Sequence, residues 1–271
     1  MISRFVIAVI YTVSILVSFS VFAKEQVLTI ETRQGVNQTF LLVEPSGPPI
    51  VALVMLSGGT GSTRIKSVDG KVTLSENGFL QRTRNQFATN GIAVAIVDVP
   101  SDQRELWRGF RMTENHARDI EGVINKLKEI HKDIPVYLIG ISRGSLSVAF
   151  IAKYLKEKVT GIVAMSVLSK DSRGQSLEFF DWSQLKQRIL IVSHKNDGCR
   201  NTLYSDAASV AKEYKIPLLA VTGGYQQLEK SAARAECGPF AHHNFLGIEK
   251  PVANEIINWI LQKPYKAEIN E

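Results

Sequence analysis

Residues 137–150 read YLIGISRGSLSVAF, with Ser142 framed by Gly140 and Gly144 where an apolar run meets a helical pattern. A Gly-x-Ser-x-Gly pentapeptide at a strand-to-helix junction is the setting in which a serine sits on a sharp turn that only small neighbours allow. Its hydroxyl then faces away from the sheet, and the helix start behind it favours negative charge. Outside that context the same five residues describe a glycine-rich turn with a helix-capping serine.

A serine becomes a nucleophile only with a base in hydrogen-bond reach and a third group that orients the base. In a wound α/β sheet both come later in the chain, from loops at the C-terminal ends of strands. Asp197, in SHKNDGCR after an apolar run, stands where the acid is expected, and His243, in GPFAHHNFLGIE, where the base is expected. His243 is preferred for its His-x-Phe setting ahead of the last helical pattern, with its neighbour His242 as the alternative. His116, His131 and His194 are read as structural.

Acyl transfer also needs two donors for an oxyanion, usually the amide after the nucleophile and one from the loop after an earlier strand. The amide of Arg143 and one near Gly59, in LSGGTG, fill those places. No Lys-Ser or Lys-Thr follows at the spacing of a phosphate-binding loop. Of several arginines, Arg82 and Arg143 are candidates for contacting an anionic substrate. Ion pairs with Asp98, Asp102 or Asp119 and solvated faces are the competing expectation. The two cysteines of the chain, Cys199 and Cys237, are read as a disulfide tying the acid's loop to the base's loop. No close Cys or His spacing favours a metal, so none is expected.

The elements that must position these residues alternate. Runs at 50–56, 92–97, 136–141, 161–165, 189–192 and 217–221 read as buried parallel strands with helical patterns between them, behind two earlier strands at 27–31 and 38–43. That describes one wound sheet. Thr113 is the expected N-cap of a helix carrying Ala117, Ile120, Ile124 and Leu127 on one face.

The chain has 271 residues and a net charge of +6, dispersed rather than blocked, which gives little support to a nucleic-acid partner. Residues 1–23 place Arg4 before an apolar stretch ending Val21-Phe22-Ala23, which reads as an export signal cut after Ala23, leaving a single domain over 24–271. The rival reading is an uncleaved anchor.

Together these residues resemble the α/β-hydrolase superfamily, from the Gly58-Gly59 loop to the final helix. The stretches FLQRTRNQFA, AIVDVPSD, GFRMTENHARDI, LIGISRGSLS and CGPFAHHNFLGIE are similar to those of a compact exported group of serine hydrolases. The resemblance implies an α/β-hydrolase fold with a mostly parallel central sheet, helices on both faces and a minimal cap. It also implies a cofactor-free serine esterase acting on a small-molecule ester, periplasmic or secreted, without stable membrane association once the signal is removed. A peptidase or amidase on the same triad, or a binding protein that lost turnover, are the alternatives.

Overall fold

The computed structural model describes residues 24–74, 78–171, 174–228 and 235–271; the expected export signal at 1–23 lies outside them. The chain opens with an antiparallel pair, β1 (Lys24–Arg33) and β2 (Val36–Glu44). There follow β3 (Val51–Leu56), a small hairpin of β4 (Lys66–Val68) and β5 (Lys71–Thr73), α1 (Phe79–Ala88) and β6 (Ile92–Pro100). Next come α2 (Arg108–Arg111), α3 (Glu114–His131), β7 (Val136–Ile141), α4 (Arg143–Leu155) and β8 (Gly161–Met165). The remainder is β9 (Arg188–His194), α5 (Tyr204–Glu213), β10 (Leu218–Thr222), α6 (Glu249–Ile260) and β11 (Glu268–Asn270).

Nine of the described strands form one sheet in the order β1-β2-β6-β3-β7-β8-β9-β10-β11. From β6 to β11 every pairing is parallel, and β1 and β2 continue the sheet antiparallel beyond β6. The six expected inner strands are all present, because each is buried on both faces and so reads as a continuous apolar run. Their side chains alternate between two cores. Ala52, Val54 and Leu56 of β3 join the core that includes Ile120 of α3 and Leu146 of α4, whereas Val51, Leu53 and Met55 join the one with Leu80 of α1 and Ile256 of α6. Helices therefore cover both faces.

Thr113 does cap α3, its hydroxyl accepting from the His116 amide at 3.3 Å. Between β8 and β9 the described residues hold only a 3-10 turn, Trp182–Gln184, and no substantial cap. Among the described residues no helix is long and apolar enough to cross a bilayer.

Candidate active site

β7 ends at Ile141 and α4 begins at Arg143, so Ser142 is the whole turn between them. Its backbone sits at φ 56°, ψ −122°, a region that costs a non-glycine residue on the order of 1–3 kcal/mol. The flanking glycines allow it. A Cβ on Gly140 would lie 2.2 Å from the Gly144 carbonyl oxygen, and one on Gly144 would lie 2.1 Å from that of Leu56. Strand and helix are pressed together by backbone contact that no side chain could share.

The residues expected as acid and base come from the C-terminal side of the same sheet. Asp197 follows β9, and His243 lies in a 3-10 turn, His242–Asn244, just before α6. His243 Nδ1 is 2.9 Å from Asp197 Oδ2, with both side chains buried. The opposite ring nitrogen, Nε2, is buried without a protein partner. Because the two nitrogens lie on opposite edges of the ring, pairing Nδ1 with Asp197 leaves Nε2 on the other edge, and His243 and Ser142 both line one pocket.

His242 is set differently. Its ring stacks on His194 with centroids 4.4 Å apart, away from Asp197. His194 is fully buried, with its Nε2 2.9 Å from the Gly223 carbonyl and its Nδ1 accepting from the Asn196 amide. Burial pushes its pKa down. His116 is likewise buried, and desolvation, with the nearby Arg111 and Arg33 charges, lowers its pKa to about 3.

Asp197 is held on both oxygens. Oδ1 accepts from the Cys199 amide at 2.9 Å, and Oδ2 from the Thr202 hydroxyl at 3.0 Å. Thr202 Oγ1 is also 3.1 Å from His243 Nδ1. The Ser166 hydroxyl, at the end of β8, donates to the His243 carbonyl at 2.9 Å and fixes that turn from below. Neither Thr202 nor Ser166 carries a signal in the sequence, where a lone hydroxyl in a loop is indistinguishable from a solvated one.

Cys199 and Cys237 form a disulfide, so neither sulfur remains as a thiolate for a metal. Cys237 also lines the pocket, whose volume is about 280 Å³. The other walls include Gly58, Gly59, Gln81, Phe240 and Asn244. Gly58 packs so closely on the nucleophile turn that a Cβ there would lie 3.1 Å from that of Ser142. Among the described residues, the amides of Gly58, Gly59 and Arg143 donate to no protein acceptor.

Arg82 and Arg143 are not among the described residues that line the pocket. Arg82 pairs with Glu249 at 2.7 Å and donates to the carbonyls of Pro239 and Asn244, so its charge is turned onto the loop that carries the base. Arg84 pairs with Glu25, and Arg111 is fully buried among carbonyls. The Arg143 side chain reaches the Gly59 carbonyl at 3.3 Å. Of the acids expected to pair with these arginines, Asp102 and Asp119 are taken by Arg33, and Asp98 accepts from the amides of Thr63 and Ile65. Sequence alone offers no means to tell which arginine meets which acid across such separations.

No family model and no curated protein matches the chain. Solved structures do. Dienelactone hydrolase from Anabaena variabilis aligns with a TM-score of 0.59 at 14% identity, over 89% of this chain and 98% of its own. Est1E from Butyrivibrio proteoclasticus aligns with a TM-score of 0.58 at 14% identity, over 87% and 98% respectively. An alpha-beta serine hydrolase homologue from Coxiella burnetii gives 0.57 at 13% identity, over 90% and 100%. Near-complete mutual coverage, joined to the parallel sheet with helices on both faces, establishes that the chain has the α/β-hydrolase fold.

Proposed function

We propose that the chain is a serine hydrolase that cleaves small esters through an acyl-enzyme. Ser142 Oγ attacks the carbonyl while His243 Nε2 takes its proton, and Asp197 holds the imidazole in the required tautomer. The amides of Arg143 and of the Gly58-Gly59 turn receive the oxyanion. His243 returns the proton to the leaving alcohol, and water then releases the acid by the same steps reversed. The observation that carries this reading is the buried His243–Asp197 pair at 2.9 Å, with His243 and Ser142 lining the same pocket. Similar solved structures include ones described as a dienelactone hydrolase and a cold-adapted esterase, which agrees with it.

The pocket's size favours short acyl groups. Export belongs to the same proposal, supported by the signal-like residues 1–23 and by a disulfide suited to an oxidising compartment.

A fluorophosphonate probe tests the nucleophile. Wild-type protein is expected to label stoichiometrically and Ser142→Ala not at all, with p-nitrophenyl acetate hydrolysis lost in parallel. A folded wild type that does not label would point instead to a binding protein on this scaffold, and labelling that survives in Ser142→Ala would move the nucleophile elsewhere.

A further inference from the structure

Arg111, the last residue of α2, is fully buried, and its guanidinium is spent on the loop that follows β3. Nη2 donates to the Ser57 carbonyl at 3.0 Å and reaches the Gly59 carbonyl at 3.5 Å. Nε donates to the Leu106 carbonyl at 3.0 Å, and Nη1 to the Ser147 hydroxyl at 2.9 Å. Ser147 lies in α4, the helix that starts behind Ser142, and it also hydrogen-bonds His116 Nε2 at 3.0 Å. The loop wraps the guanidinium closely. A Cβ on Gly61 would lie 2.7 Å from Arg111 Nη2, and the loop is closed by the Gly61 amide donating to the Gly58 carbonyl at 2.9 Å.

A trans peptide carries its C=O and N–H on opposite edges of one plane. With the guanidinium on the Ser57 carbonyl, the N–H edge of the same peptide, which belongs to Gly58, is turned away from Arg111. Gly58 lines the pocket and packs against Ser142. A positive charge on the carbonyl edge also polarises the peptide and strengthens its N–H as a donor.

We propose that Arg111 is a positioning residue that fixes and polarises the 57–61 loop so that the Gly58 amide, paired with that of Arg143, receives the oxyanion formed at Ser142. This rests on the hydrolase reading of Ser142, and it sharpens the sequence expectation of a donor near Gly59 to the preceding peptide.

The test compares Arg111→Met and Arg111→Lys with wild type in the full chain. Losing one oxyanion donor's orientation is expected to lower kcat for p-nitrophenyl acetate about 100-fold in Arg111→Met with KM within about 2-fold, and about 10-fold in Arg111→Lys, which keeps the charge but not the fork. Binding of a trifluoromethyl ketone, which forms a tetrahedral oxyanion on serine, should weaken by the same factor as kcat. Binding of the matching secondary alcohol should not change. The Gly58 amide resonance of 15N-labelled protein should move in both variants.

A folded Arg111→Met with wild-type kcat, or equal weakening of ketone and alcohol, would overturn the assignment. If Arg111→Met does not fold, wild-type kcat in Arg111→Lys overturns it equally. A wild type that neither turns over nor labels defeats the hydrolase reading, and an unmoved Gly58 resonance then defeats the loop-positioning claim separately.

Discussion

Thr202 is the residue that shows how finely the acid is held. A buried carboxylate is tolerable only when its oxygens are satisfied, and Asp197 has the Cys199 amide on one oxygen with Thr202 and His243 on the other. Thr202→Val keeps the shape and removes one donor to a charged group, an interaction worth about 1.5–3 kcal/mol. Since His243 still holds Asp197, only part of that is expected to reach the rate: kcat for an ester should fall about 10-fold with KM unchanged, and Thr202→Ser should recover most of it. Steady-state kinetics on the three proteins checks this, and a Thr202→Val enzyme with wild-type kcat would leave the hydroxyl without a role.

The same residues show where sequence reading succeeds and where it stops. The pairing of Asp197 with His243 is legible because a wound sheet brings the loops after its later strands together at one end. The preference for His243 over His242 rests on a weaker pattern; in the structure a single 3-10 turn sends the His243 ring to Asp197 and stacks that of His242 on His194. Thr202 and Arg111 act through contacts with residues 41 and 54 positions away respectively, and no local spacing announces them.

Among the elements, the inner strands and the β1 edge are legible and the β11 edge is not. A strand buried on both faces is an unbroken apolar run, whereas β11 offers only Ile269 to the core and so leaves no such trace. The β4–β5 hairpin turns at Asp69-Gly70, both with positive φ, a two-residue turn whose signal is present in the sequence but is flanked by strands too short to register. The disulfide between the loop after β9 and the 3-10 turn Ala235–Cys237 is the link on which both acid and pocket wall depend. With 38 residues separating the cysteines, the chain-entropy model puts its contribution at about 4 kcal/mol. Replacing both cysteines by serine is expected to lower the urea midpoint accordingly. It should also reduce kcat, because the residue 199 amide that donates to Asp197 is no longer held in place by the bridge. Unfolding curves paired with kinetics check both, and a kcat unchanged after the double replacement would separate the bridge from the site.

At the scale of the molecule, two buried imidazoles set how stability follows pH. The unfolded chain protonates His116 near its ordinary pKa of 6.5, but the native state resists protonation until about pH 3. Between those values the unfolded state binds more protons, so stability falls as pH falls. A lag of 1.5 pH units by pH 5 corresponds to about 2 kcal/mol from His116, and His194, lowered in the same direction, adds to it. Urea unfolding at pH 7 and pH 5 should show this loss, and His116→Gln should reduce the difference between the two. A difference unchanged in His116→Gln would assign the pH dependence to other groups.

Asn244 closes the pocket by accepting from the Phe79 amide, and Arg82 reaches back to the Asn244 carbonyl, contacts that span 165 and 162 positions of the chain. Contacts of such separation form only after most of the polypeptide has been brought together. Under the proposed triad, Ser142 is therefore made about a hundred residues before His243, and the site is completed only when the last helix docks.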